Sequence, residues 1–376
     1  MEIYRVGGAV RDELLGLPVR DIDYVVLGAT PESMLAAGYT PVGKDFPVFL
    51  HPQTHAEYAL ARTERKSAPG YHGFVFHCAP DVTLEQDLRR RDLTINAMAM
   101  NDSRILIDPY SGQQDLERKI LRHVSEAFAE DPVRILRIAR FAARFTDFSI
   151  AAETLQLMRT MVSQGEVDAL VPERVWQEVA RGLMETQPSR MLQVLHSCGA
   201  LARIMPELDQ VWLQQTPVGN TVGMLMMQQL DRSAAADLPL AIRWATLLSE
   251  LVPKGEAQAM TLAQQLCARL KVPAEIRDIT VMAVRENVLL KQVSALTAED
   301  VVMLFERCDA FRRPARFIDM LPAVIDNADT QHYVQRILQT ALAIPAGEIA
   351  RKHSSATAIA SAIRAARLEA VHAAQH

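Results

Sequence analysis

The sequence is poor in cysteine and has no paired cysteines: Cys78, Cys198, Cys267 and Cys308 are far apart, and no two stand in a CxxC spacing. That excludes a zinc ribbon or a dithiol redox motif and leaves buried free thiols. Histidine is absent from the whole interval between His196 and His332, so no imidazole-held metal site is expected there. Upstream, His51, His55, His72 and His77 lie at spacings that make no ligand set and are read as loop and sheet surface. No uninterrupted apolar run is long enough to span a bilayer, and Met1-Glu-Ile-Tyr-Arg5 has no basic segment leading into an apolar one. The expectation is a chain without a membrane partner, in a reducing, cytoplasmic compartment. A strong charge of one sign is lacking too. With a formal net charge of -5, any polyanion-binding surface must be a local concentration of Arg and Lys. Tandem repeats and low-complexity tracts are also absent.

What is present is a chain of 376 residues, beyond the usual limit of one core, so two or more packed units are expected. Residues 1 to about 110 read as short strands alternating with helices. The strands are Ile3–Val6, Ile22–Leu27, Val48–Leu50, Glu57–Leu60, Ala97–Met100 and Ile105–Ile107, and a helix runs from Val10 to Leu15 after a Gly7-Gly8 turn. Beyond residue 112 apolar residues recur at three- and four-residue spacing, as over Pro132–Phe145, Glu173–Met184 and Ser189–Cys198, and helices are expected throughout. Prolines break the remainder into short helices, with Gln214–Asn220 and Val252–Glu256 as loops, and Ala356–His376 reads as a terminal helix that frays. Trp176 and the run Met224–Met227 are assigned to packing. The fold class is α+β: a mixed head with a small sheet, then helices only.

Asp21-Ile22-Asp23 sits at the second strand, where positions i and i+2 face the same side. Two carboxylates so placed suit a magnesium ion, the hard cation that bridges phosphates and activates a hydroxyl in phosphoryl-type transfer. Gly7-Gly8 stands between strand and helix, where a turn without side chains lets backbone N–H groups approach a triphosphate, and Arg11 lies one turn further on. Alone, a Gly-Gly turn is a weak signal, and an Asp-x-Asp strand is more often a solvated edge. Together, at this spacing, they point to nucleotidyl transfer.

Gly7-Gly-Ala-Val-Arg-Asp12 followed by Asp21-Ile-Asp23 resembles the first motif of class II tRNA nucleotidyltransferases, the group that contains bacterial CCA-adding enzymes and poly(A) polymerases. Arg90-Arg91-Asp92, running on to Ala97, resembles the second motif, and the resemblance implies that Arg91 and Asp92 contact the ribose. Glu130-Asp131-Pro-Val-Arg134, continuing through Arg137 and Arg140, resembles the amino-acid template. Asp131 and Arg134, three apart at a helix start, offer one acceptor and one forked donor, which suit the Watson–Crick edges of cytosine and adenine. By itself that pair is better read as a helix with a solvated basic face. The resemblance implies a head similar to that of polymerase beta, with an all-helical neck, body and tail. It divides the chain into residues 1–111, 112–200 and 201–376. It implies tRNA, ATP and CTP as partners, Mg2+ as cofactor, catalytic and metal-holding roles for Asp21 and Asp23, and nucleotide binding through Gly8, Arg11, Arg91, Asp92, Asp131, Arg134, Arg137 and Arg140.

Residues 62–73 read as a charged, then Pro- and Gly-rich loop. In this family a loop at that place helps the switch from CTP to ATP. Gly43–Pro52 is closer to the proteobacterial CCA-adding branch than to poly(A) polymerases. Many such enzymes carry a C-terminal phosphohydrolase domain with a His-Asp pair; here the corresponding pair is Ser249-Glu250, and no phosphatase or phosphodiesterase activity is expected. Arg312, Arg313, Arg316, Arg351, Lys352, Arg364 and Arg367 are candidate contacts to RNA phosphates, each also readable as a solvated charge. The open alternatives are an enzyme adding only CC or only A, a poly(A) polymerase, and a non-catalytic tRNA-binding protein.

Overall fold

Strand β1 (Glu2–Val6) ends at Gly7, whose φ of 70° is a conformation that glycine adopts without penalty, and the chain turns there directly into helix α1 (Gly8–Leu14). The structure, a computed structural model, describes residues 1–376 except 20, 43–47, 67–73, 217–218, 252–254 and 376, and except the side chains of 64–66 and 74–77. Beside β1 lies β2 (Asp23–Leu27), antiparallel, with Val6 opposite Asp23. After α2 (Pro31–Ala36) come β3 (Thr40–Val42), β4 (Val48–Leu50), β5 (Glu57–Leu60), β6 (Thr63–Lys66), β7 (Phe74–His77), α3 (Leu84–Arg89), β8 (Ala99–Met100) and β9 (Leu106–Ile107). Seven strands make one sheet in the order β3-β4-β5-β2-β1-β8-β9, in which only β2 and β5 are parallel. Alternation along the strands feeds two cores. Val6, Val25 and Ala99 pack with Leu88 and Val82, while Val26, Phe49 and Leu60 pack with Met34 under α2.

Helices follow: α4 (Gly112–Glu117), then β10 (Ile120–Leu121), α5 (Val133–Arg144), β11 (Ser149–Ile150), α6 (Ala152–Ser163), α7 (Pro172–Leu183), α8 (Ser189–Ser197) and α9 (Ala200–Ile204). Strands β10 and β11 form a small parallel pair that the sequence did not announce. α5 is amphipathic, burying Ile135, Leu136, Ile138, Ala139 and Ala142 and carrying Arg137, Arg140 and Arg144 along one flank.

By its contacts the chain forms two compact units, residues 1–182 with 190–204, and residues 183–189 with 205–376. The second unit holds α10 (Pro206–Trp212), α11 (Val222–Ala235), α12 (Leu240–Ser249), α13 (Glu256–Arg269), α14 (Ala274–Lys291), α15 (Ala298–Arg307), α16 (Pro314–Met320), α17 (Ala328–Leu342), α18 (Ala346–Arg351) and α19 (Ala356–Gln375). Its core gathers Phe305, Phe317, Met320, Leu338 and Val371.

Several expectations need correction. The second strand starts at Asp23, so Asp21 and Ile22 precede it, and Ile22 is exposed. Residues 63–66, read as loop, pair with β7 in a hairpin, while 67–73 lie outside the described residues, as do 217–218 and 252–254 of the other predicted loops and 43–47 of the Gly43–Pro52 segment. The terminal helix, read as one that frays, is docked near its end: Val371 is fully buried, and Arg336 Nη1 donates to the Ala374 carbonyl at 3.0 Å. In the methionine run Met226 is buried but Met224 is exposed. Cys198, Cys267 and Cys308 are free thiols and buried.

Candidate active site

Within the first unit, a cavity of about 560 Å³ opens where the Gly7-Gly8 turn, the start of β2, the segment after α3 and the arginine flank of α5 converge. Its wall carries Arg11, Arg62, Arg90, Arg91, Arg134, Arg137, Arg140, Arg144 and Arg174, against only Asp23, Asp92 and Asp131. So many guanidiniums in one wall stay together because each is tied to something.

Arg11 is almost fully buried; its Nη1 donates to Asn96 Oδ1 at 2.6 Å and its Nε to Asp12 Oδ1 at 2.8 Å. Burial pulls its pKa below the ordinary value, and the Asp12 charge works against that pull. Arg144 Nη2 holds the other Asp12 oxygen at 2.8 Å. Arg137 Nε donates to Asp92 Oδ2 at 2.7 Å, and Asn96 Nδ2 donates to Asp92 Oδ1 at 3.0 Å. Burial would push the Asp92 carboxyl up, but Arg137, Asn96 and the nearby Arg134 outweigh it and hold that carboxyl well below the usual carboxylate range. Arg140 Nε donates to the buried Glu178 of α7 at 2.7 Å. Phe141 and Phe145 lie between the charges: the Arg11 guanidinium carbon is 5.2 and 5.1 Å from their ring centres, and Arg140 is 4.7 Å from Phe141.

The template pair is anchored as well. Asp131 Oδ1 accepts from the Val133 N–H at 3.1 Å, opening α5, and its Oδ2 accepts from Arg174 Nη2 at 3.1 Å. Arg134 Nη1 and Nη2 donate to the carbonyls of Ala127 and Arg90 at 2.7 and 2.6 Å. Both side chains border the cavity with their orientation set by these bonds.

Two relatives agree with this chain along almost all of its length. The multifunctional CCA protein of Herminiimonas arsenicoxydans is 54% identical over 99% of this chain and 97% of its own. That of Burkholderia cenocepacia is 54% identical over 99% and 98%. The chain belongs to the bacterial CCA-adding enzyme family. Within it, the sequence profile described as the Poly A polymerase head domain matches residues 3–122, and that of the probable RNA and SrmB-binding site of polymerase A matches residues 147–211. The fold is shared with solved structures at 22% identity. A CCA-adding enzyme with CTP superposes with a TM-score of 0.71 over 99% of this chain and 87% of that one, and the Thermotoga maritima CCA-adding enzyme complexed with tRNA with 0.67 over the same shares. Alignments with the two CCA proteins run over 404 and 406 positions, more than the 376 residues here, so those relatives carry residues without a counterpart in this chain.

For a CCA-adding enzyme, the two residues expected to hold a metal have suitable chemistry. Asp21 and Asp23 are both exposed; Asp23 borders the cavity beside Gly7 and Gly8, and Asp21, two residues earlier, does not line it. Two exposed carboxylates without further protein ligands fit a hard divalent cation that completes its shell with water and substrate phosphates. No group of three or more His, Cys, Asp or Glu able to hold a metal occurs among the described residues. Ser249 and Glu250 do other work: the Ser249 hydroxyl donates to the Ala245 carbonyl at 2.8 Å, and Glu250 accepts from Lys291 at 3.3 Å.

The structure thus brings Gly8, Arg11, Asp23, Arg91, Asp92, Asp131, Arg134, Arg137 and Arg140 to one cavity, and Asp21 is not among its lining residues. Sequence reasoning passed over Arg62, Arg90, Asn96, Phe141, Arg144 and Arg174. Arg144 had a signal, since it continues the spacing of Arg137 and Arg140, whereas Arg174 comes from α7 and had none. Of the tail arginines, Arg364 is committed to Glu299 and Glu306, and Arg367 lies 3.7 Å over the Phe311 ring.

Proposed function

We infer that this chain adds C, C and A in sequence to the 3′ end of tRNA, taking CTP and ATP, releasing pyrophosphate and using no nucleic-acid template. The observation that carries the reading is the single cavity in which nine arginines, a Gly-Gly turn and Asp23 meet. A triphosphate is the ligand whose charge such a wall matches. Arg11 and Arg91 beside Gly8 hold the phosphates, and Arg137 and Arg140, oriented by Asp92 and Glu178, define the nucleotide's place along α5. Asp131 and Arg134, locked by Arg174 and by two backbone carbonyls, present one acceptor and one donor to the amino-bearing edges of cytosine and adenine. The tRNA 3′-hydroxyl attacks the α-phosphate, and positioning supplies most of the acceleration.

Mg2+ is the divalent cation of this reading: Asp21 and Asp23 would hold it, and it would lower the hydroxyl's pKa and neutralise charge on the phosphates. Residues 1–111 serve as the transferase head, 112–200 as the neck with the template, and 201–376 as a body and tail that grip tRNA, in the cytoplasm where tRNA is matured.

The test is incorporation by the full chain into tRNA lacking the whole CCA end, then into tRNA ending in CC, with each triphosphate alone and together. Complete addition is expected on the first substrate with both triphosphates, and a single A on the second. Addition confined to CC or to A marks a partial enzyme, and repeated AMP addition to generic RNA a poly(A) polymerase. Binding of tRNA with no incorporation would leave a non-catalytic tRNA-binding protein.

A further inference from the structure

The second unit has a cavity of its own, of about 400 Å³, between α13, α14, α15 and α16, and the residues that line it include Arg277, Arg285, Arg307 and Arg316 with Asp278 as the only acid. The four arginines come from three helices, and two of them are set by one carboxylate. Glu286, fully buried on α14, takes Arg285 Nε at 2.5 Å and Arg307 Nε at 3.2 Å on the same oxygen. Its other oxygen has no hydrogen-bond partner among the described residues, so this carboxylate is kept for the guanidiniums it aligns. Arg277 is only loosely occupied, by the half-exposed neighbouring Asp278 at 2.9 Å, a surface pair of little energetic weight. Arg316 contributes the surplus charge: its Nε is buried and finds no partner among the described residues.

Arg307 Nη2 also meets the half-exposed Glu256 at 3.4 Å, so Arg316 is the donor that no acid matches among the described residues, and rigid planar donors converging on a small cavity suit a tetrahedral anion with several acceptor oxygens. We propose that this cavity is a phosphate-binding site, separate from the nucleotide cavity of the first unit, which takes a phosphate group from either the tRNA backbone or a small phosphorylated molecule. The site does not depend on the transfer reaction and stands or falls apart from it.

The experiment is phenylglyoxal modification of the full chain, read at each arginine by peptide mass spectrometry, with inorganic phosphate, with tRNA, or with potassium chloride at matched ionic strength. Arg277 and Arg316 are expected to be protected by phosphate beyond the chloride control. Protection by stoichiometric tRNA as well identifies the RNA backbone as the source, and protection by phosphate without tRNA identifies a small ligand. Arg316→Ala, checked for an unchanged circular dichroism spectrum, should raise the phosphate concentration needed to half-protect Arg277 by about tenfold, the loss expected for one charge-assisted hydrogen bond. No protection by phosphate overturns the proposal, and so does protection by tRNA alone, because a covering RNA masks arginines without any phosphate cradle. Arg91 and Arg137, read in the same digests, report separately on the nucleotide cavity.

Discussion

Asp92 Oδ2 receives both Nε and Nη2 of Arg137, each at 2.7 Å, and so ties the segment after α3 to the arginine flank of α5. The carboxylate is almost fully buried, and Arg137 is about one-third exposed at 36%. Removing one partner strands the other charge near the cavity floor. Asp92→Asn is expected to lower unfolding stability by about 2–3 kcal/mol, less than for a fully buried pair because water screens Arg137. A double-mutant cycle with Arg137→Ala in urea denaturation measures the coupling, and additive losses would show that the pair carries none.

Acid should act through the same carboxylate. The Asp92 carboxyl is held below its unfolded value, so its contribution is complete above about pH 4 and is lost as pH falls from there toward the folded value. Asp87, buried between Arg90 and Arg91, is depressed too and adds to the same window. Urea midpoints at pH 7, 5, 4 and 3 should fall most steeply below 4. Asp92→Asn should flatten that fall, and an unchanged slope would assign the acid sensitivity elsewhere.

Asp21→Ala and Asp23→Ala should abolish incorporation of CMP and AMP while tRNA binding persists. Chelation should do the same to the native chain, and added Mg2+ should restore it. Undiminished incorporation in either variant refutes the metal assignment.

Gly7 accepts a side chain only with backbone strain and a shift of Arg91. Its φ of 70° disfavours an L-residue, and an added Cβ would lie 2.8 Å from Arg91 Nη1. Gly7→Ala should cost about 1–3 kcal/mol of backbone strain and displace Arg91. A higher KM for both triphosphates, with tRNA affinity unchanged, is the expected signature.

How far the fold was legible follows from how local each signal is. The strands around Tyr4, Tyr58 and Ile107 and the helix carrying Arg134 to Arg144 were readable because apolar alternation and three- to four-residue spacing are local patterns. The hairpin of Thr63–Lys66 with Phe74–His77 was not, since its first strand is charged and takes its structure from a cross-strand partner. At the site, the motif residues were legible, but what holds them was not. Arg174 reaches Asp131 from 43 positions away, and Asn96 reaches Arg11 from 85 away. Those contacts belong to tertiary structure.

The crowd of guanidiniums in the first cavity also bears on the thermodynamics of the whole first unit. Even with Asp12, Asp87 and Glu178 added to the three carboxylates of the wall, the nine cationic side chains leave positive charge in excess around the cavity. A bound triphosphate, by supplying the missing counter-charge, becomes a component of the native state's own charge balance. Its binding free energy is thereby stored as resistance to unfolding, rising with the logarithm of its concentration over Kd.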